Sequence, residues 1–273
     1  MTLEKVVANL VQKIERRFYG KYRGIVVDNV DPEQLGRLKV MVPSVLGNEV
    51  VTGWAMPCLP YGGDMNQGFF FIPEVGAGVW MEFEEGDLEF PIWVGTFWSK
   101  PGGESELPKP NDPDGADQGS VQDPPTRKII KTLKGHTIQF EDADGEEMVT
   151  IVEATNGQVI TLNQAGIIIK DGANSNTITF DSNGIKIEDM NGNVVTMDSS
   201  SVTIKSSSNI KIGENATEPL VLGNQLKMAL ENWINTTYMI HMHTGNLGAP
   251  TTPPLPGAPL VLDPALSLTN TVK

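Results

Sequence analysis

Between residues 136 and 213 the chain sets one apolar residue against one polar residue almost throughout, in short runs separated by Gly, Asn, Asp and Ser. Alternation at a period of two marks β-strands whose two faces differ. Three copies of a two-strand unit align: 158–162 with 166–170, 176–180 with 184–188, and 193–197 with 201–205. Ile160, Ile178 and Val195 occupy equivalent places, 18 and 17 residues apart. Repeats of that length predict a solenoid or an intertwined β-structure, in which each unit buries its apolar face only against a neighbour. Phe140 and Phe180 are the only aromatic residues in the segment. A single layer so built is too thin to offset the entropy of ordering it, so the pattern predicts that other chains complete the core.

Other regions read differently. Leu3, Val6, Val7, Leu10, Val11, Ile14 and Phe18 recur at helical spacing and predict an amphipathic helix over 1–19, docked on its own domain or on a partner. Residues 20–99 read as all-β, with strands expected at 23–28, 37–43, 51–57, 68–72, 78–84 and 91–97. Strands of this length, punctuated by Gly and Pro, suit a small closed or partly open barrel such as an OB-fold. Residues 100–127 hold six prolines and predict an extended acidic linker. The repeats occupy a shaft over 128–219. Helical spacing returns in 220–244, through Leu226, Met228, Ala229, Leu230, Trp233 and Ile234, and a Pro-rich tail runs from 245 to 273.

Charge and chemistry narrow the picture. The net charge of −14 argues against a nucleic-acid partner, which needs clustered Lys and Arg. Cys58 is the only cysteine, so no intrachain disulfide framework exists, and its apolar setting predicts a buried, inert thiol. No apolar run reaches membrane-span length and the N-terminus lacks a signal-peptide core, so a soluble chain is expected. Glu104, Glu106, Asp112 and Asp114 offer carboxylates but no scaffold to hold a pair at fixed separation, and no nucleophile or phosphate-loop motif occurs. The expectation is a non-enzyme. Trp80, Trp93 and Trp98 lack basic neighbours for base stacking and are read as core or hub contacts. The run Glu82, Glu84, Glu85, Asp87 and Glu89 lacks calcium-loop spacing and is read as a charged edge or turn, and His136 as a surface residue.

The stretch Tyr22-Arg-Gly-Ile-Val-Val-Asp-Asn-Val-Asp-Pro-Glu-Gln-Leu-Gly-Arg-Leu-Lys-Val-Met-Val-Pro43 resembles the OB-fold opening of the central spike proteins of contractile phage tails and related injection systems. Pro73-Glu-Val-Gly-Ala-Gly-Val-Trp-Met-Glu-Phe-Glu-Glu-Gly-Asp-Leu-Glu-Phe-Pro-Ile-Trp-Val-Gly95 is similar to the second half of that module. The resemblance implies a homotrimeric baseplate spike, with OB domains beneath a hub protein. C-terminal halves wind into an intertwined β-helix or β-prism that punctures the outer membrane of the target cell. It also implies assembly in the host cytoplasm and a place in the virion tail or an extracellular injection particle. The Pro-rich segment has three readings: it folds back along the shaft, caps the tip, or receives a separate tip protein. Fusion to a hub in one chain marks the type VI spikes, and the short stretch before residue 20 sets the expectation against that subtype.

His241 and His243 are the candidate metal ligands. On an extended chain, alternate residues point the same way, so His-x-His presents two imidazoles to one side. Short spikes of the family carry such a pair at the pointed end, and the resemblance implies iron, or another transition metal, shared by three chains on the three-fold axis. Here the pair follows a predicted helix, and the competing reading is a solvated helix end whose histidines complement the dipole. Two further function classes stand beside the spike: a trimeric stalk-mounted OB-fold module recognising a glycan or receptor, and a cell-wall hydrolase, for which the linker is too short.

Overall fold

The computed structural model describes residues 2–7, 11, 17–210 and 223–252. Two units make up the chain, Met1–Ile204 and Lys205–Lys273. Residues 3–7 and 11 are helical, and Leu10 and Ile14 of the expected stripe lie outside the described residues, as does the Pro-rich tail beyond 252. The helix expected to reach residue 19 does not do so: residues 17–19 are not helical, and Phe18 donates its N–H to the Gly86 carbonyl at 2.8 Å.

Five strands build the barrel: β1 Tyr22–Asp28, β2 Lys39–Met41, β3 Met56–Pro57, β4 Gly78–Phe83 and β5 Pro91–Thr96, in the order β2-β1-β4-β5-β3. The ring closes because the segment entering β3 also pairs with β2. Ala55 and Leu38 exchange N–H···O bonds of 3.1 and 2.8 Å, and the Thr52 N–H donates to the Val40 carbonyl at 2.9 Å. Alternation decides the interior: Val79, Met81 and Phe83 of β4 point inward while Trp80 and Glu82 do not. Val26, Leu38, Val40, Val42, Ala55 and Trp93 complete the core, each at most 2% exposed. The long β1–β2 connection is held by Asp31, which accepts bonds from the N–H groups of Glu33, Leu35 and Arg37 and from the Arg37 guanidinium. These bonds hold its carboxyl well below the usual range, the Arg37 side chain contributing most.

Several expectations are corrected here. Residues 68–72 form no strand; Phe69, Phe70 and Phe71 are exposed on an irregular loop, with Phe69 donating its N–H to Tyr61 at 3.1 Å. Three consecutive phenylalanines carry no alternation, so no sheet face can take them up. Cys58 is exposed, not buried. Its backbone N–H still bonds the Trp93 carbonyl at 2.9 Å, but the chain is leaving the barrel there and the thiol finds no interior. The strand expected over 37–43 ends early, because Pro43 opens the short helix Pro43–Leu46.

The shaft is a nine-stranded antiparallel sheet whose strands neighbour one another in chain order. These are β6 Arg127–Lys131, β7 Thr137–Glu141, β8 Met148–Glu153, β9 Gln158–Asn163, β10 Gly166–Asp171, β11 Asn176–Asp181, β12 Gly184–Glu188, β13 Val194–Met197 and β14 Val202–Lys205. The all-β expectation therefore holds for both parts of this unit. Hairpin turns are stitched by side chains that accept the N–H two residues on: Glu141, Asn163, Asp171, Asp181, Asp189 and Asp198 all do so. Gly166 and Gly184 open β10 and β12 where the neighbouring backbone crowds in. A Cβ at Gly166 would lie 1.9 Å from the Phe180 carbonyl oxygen, and one at Gly184 2.0 Å from that of Met197.

Part of the predicted linker is not solvated. Pro110 and Asn111 are buried, and residues 110–117 lie as a strap across one face of β7–β9. In the second unit, the helix Gly223–Trp233 continues into a wider turn over Ile234–Tyr238, and His241 and His243 follow it.

Candidate functional site

The register of the shaft sheet puts two apolar rows on one face. Ile130 pairs with Ile138, Ile138 with Ile151, Ile151 with Ile160, Ile160 with Ile169, Ile169 with Ile178, Ile178 with Ile187 and Ile187 with Val195. Two residues along, Phe140, Val149, Leu162, Ile167, Phe180, Ile185 and Met197 make a second unbroken row, begun by Lys128. Directly opposed side chains on neighbouring strands touch, so each row is a continuous ridge. Seven strand spacings of about 4.8 Å give a stripe about 34 Å long.

None of these side chains is buried in the single chain. Ile130 is 50% exposed, and Ile138, Ile151, Ile160, Ile169 and Ile187 lie between 36% and 41%. A contiguous apolar surface of this extent marks an interaction site. The row between the two, on the opposite face, is mostly polar: Gln139, Thr150, Thr161, Ile168, Thr179, Lys186 and Thr196. One face is thus built for water or for the strap, and the other for apolar contact.

The repeats in the sequence point to this face from Gln158 onward. Their continuation through β6–β8, with Ile130, Ile138 and Ile151, is carried by the same alternation, although the hairpin spacing there is less regular. The strap was missed entirely, since Asn111 and the β7 residues Gln139 and Glu141 are polar and nothing in their sequence neighbourhood marks them as buried.

His241 and His243 are brought together, their ring centroids 5.0 Å apart and their planes nearly perpendicular. The His241 Nδ1 faces the Tyr238 carbonyl, which leaves Nε2 as its open ligand atom. The backbone N–H of His243 donates to the Thr251 hydroxyl at 2.9 Å, and its carbonyl accepts the Thr251 N–H at 2.6 Å. Among the described residues no third His, Cys, Asp or Glu joins them. Two imidazoles suit a metal only if other chains supply the remaining ligands.

The remaining candidates have local partners. Glu106 accepts bonds from the Ser99 N–H and hydroxyl, both at 2.6 Å, which lower its pKa. Asp112 takes the Gln118 amide and Asp114 the Ala116 N–H, so the linker carboxylates are not paired with one another. Asp87 pairs with Arg17 and Glu82 with Lys21. Trp93 is core, Trp80 packs at a tilt against Phe97 with the Arg23 guanidinium over both rings, and Trp98 is exposed. His136 is a surface residue whose Nδ1 accepts the Ala154 N–H at 3.2 Å.

The closed five-stranded barrel, with its long β1–β2 connection pinned by Asp31, coincides with a family match: residues 22–98 match the type VI secretion system/phage-baseplate injector OB domain. The chain carries an injector OB domain. The match spans 77 of the 273 residues, and an injector OB domain implies association with a baseplate or tail assembly. The match stops at residue 98, so the apolar stripe and the histidine pair lie outside the injector OB domain proper. No curated protein matches the chain.

Proposed function

We propose that this protein is the central spike of a contractile tail baseplate, a homotrimer that seats its injector OB domains under a hub protein and drives its shaft through the target outer membrane. The observation that carries the reading is the double apolar row of the shaft, joined in one chain to an injector OB domain. Three such faces turned inward would cover one another, and each side chain moved from partial exposure to burial contributes on the order of 1 kcal/mol. Polar rows facing outward keep the shaft in water. Strands paired along the whole length resist bending and unfold cooperatively, which is what a needle loaded along its axis requires. The role is mechanical and uses no catalytic group.

His241 and His243 from three chains would supply six imidazole nitrogens to one iron or other transition metal. Such an ion would lock the three chains to one another. A tip protein would complete the point. The spike would sit in the virion tail, or in an extracellular particle, after assembly in the host cytoplasm.

Light scattering on the purified chain, with metal analysis of the same sample, tests both parts. Three chains per particle and about one metal per three chains are expected. A trimer without metal removes the histidine cage and keeps the spike, whereas a folded monomer removes the spike. One observation favours a second reading, a stalk-mounted module that binds a glycan or receptor. Tyr61, Phe69, Phe70 and Phe71 stand exposed on one barrel loop, and retention of a glycan by the wild-type protein but not by Phe70→Ala would support it.

A further inference from the structure

The two ends of the shaft sheet differ in what a single chain gives them. Over β7–β9 the strap covers the polar face with a dense set of bonds. The Asn111 N–H donates to the Gln139 side-chain carbonyl at 2.9 Å, and the Gln139 amide returns a bond to the Asn111 carbonyl at 2.6 Å. Thr137 donates to the Asn111 side chain at 3.0 Å, and Thr161 to the Pro113 carbonyl at 2.7 Å. Arg127 closes on Glu141 at 2.7 Å, with both side chains at most 10% exposed, and Lys131 reaches Asp117. Under this cover Thr137, Gln139, Thr150, Val152, Val159 and Thr161 are all buried.

From residue 162 to 205 no residue is buried. β10–β14 are open on both faces, and no segment among the described residues bonds across them as the strap does across β7–β9. Sheets covered on neither side do not hold by themselves in water.

We propose that the strap and β6–β9 fold within the single chain as a nucleus, and that β10–β14 gain stable pairing only as chains associate, so that the spike assembles from residue 163 toward the C-terminus. The proposal rests on the trimeric reading of the shaft. It gives the polar strap a purpose that stability alone does not, since it fixes the first register against which every later hairpin adds. One slipped residue would turn the apolar rows to the wrong side along the whole stripe.

Pulse-labelling hydrogen exchange during refolding of the full chain, at several protein concentrations, tests the order. Amides of 127–163 should gain protection first, at a rate independent of concentration. Those of 166–205 should follow at a rate that rises with concentration. Simultaneous protection, or protection beginning at the C-terminal end, overturns the proposal even if the product is a trimer. Protection of 166–205 at a concentration-independent rate in a product of one chain overturns the trimeric reading, and the proposal with it. A variant separates the strap from the strands. Gly115 has φ +93° and a Cβ there would lie 2.5 Å from the Val159 side chain, so Gly115→Val lifts the strap. The first phase should then slow about tenfold. An unchanged first phase would show that the strap is not part of the nucleus.

Discussion

β4 of the barrel and β11 of the shaft are both six-residue strands with apolar side chains at alternate positions, and they meet opposite fates. In β4, Val79 and Met81 are fully buried by a barrel that closes on itself within about 80 residues. In β11, Phe180 remains 38% exposed because the sheet runs on in one layer and never turns back over itself. Alternation specifies that a strand has an apolar face, not what covers it. Whether a chain covers its own face depends on whether its strands can close a ring, and the shaft meander, paired only in chain order, has no pairing that would do so.

The largest effect should come from placing a charge on the face that the trimeric reading covers with other chains. Ile169→Asp sits in the middle of the longer apolar row. Three copies brought together would bury three like charges, so association should fail altogether while the barrel stays folded. Light scattering should then read a single-chain mass, and the tryptophan emission of buried Trp93 should be unchanged. A variant that still forms the full-size particle would show that this face is not the seam.

Leu38→Ala is the mirror of that change. Leu38 is fully buried in the barrel core, so truncation should cost about 3 kcal/mol of barrel stability. It should leave the particle mass untouched. Denaturant unfolding followed by tryptophan fluorescence would report the loss. If the mass changed instead, the two regions would not be the independent structures that their cores make them.

How much of this was legible in the sequence follows the same division. The barrel strands were readable because apolar alternation coincides with turn-forming residues such as those around Asp31 and Gly36. The shaft was readable from its repeat. What could not be read was burial of polar groups: Gln139 is 0% exposed yet has the hydropathy of a solvated residue, and its partner Asn111 lies 28 positions earlier. Cys58 and the Phe69–Phe71 run failed for the converse reason, since apolar character alone does not say that a loop has an interior to enter.

Acid should loosen the strap before it touches the barrel core. Burial pushes the Glu141 carboxyl up, but hydrogen bonds from Thr126, the Ala143 N–H, Arg127 and Gln122 outweigh it and bring the pKa from 4.5 down to about 2. A carboxylate depressed in the folded state stabilises above its unfolded pKa, and that stability is lost as pH falls from about 4.5 through about 2. The contribution is on the order of 2 kcal/mol. Exchange protection of 127–163 should therefore fall over that window in the wild type, and Glu141→Gln should flatten the dependence. A wild-type profile without a slope there would mean that the carboxylate does not hold the strap.

The smallest effect expected is a gain. Thr150 lies at the centre of the strap-covered face, between Gln139 and Thr161, fully buried. Its hydroxyl is the one buried side-chain polar atom without a hydrogen-bond partner among the described residues. Gln139 and Thr161 spend their own bonds on the strap, at Asn111 and Pro113, and leave the hydroxyl between them unserved. Thr150→Val keeps the β-branched shape and removes a group whose desolvation goes uncompensated, so stability should rise by about 1 kcal/mol. The readout is the denaturant midpoint of the 127–163 amides, set against that of the barrel, which should not move. If Thr150→Val instead destabilises the strap region, the hydroxyl has a partner beneath the strap, an ordered water bridging to Gln139 being the simplest, and the nucleus would be a hydrated one.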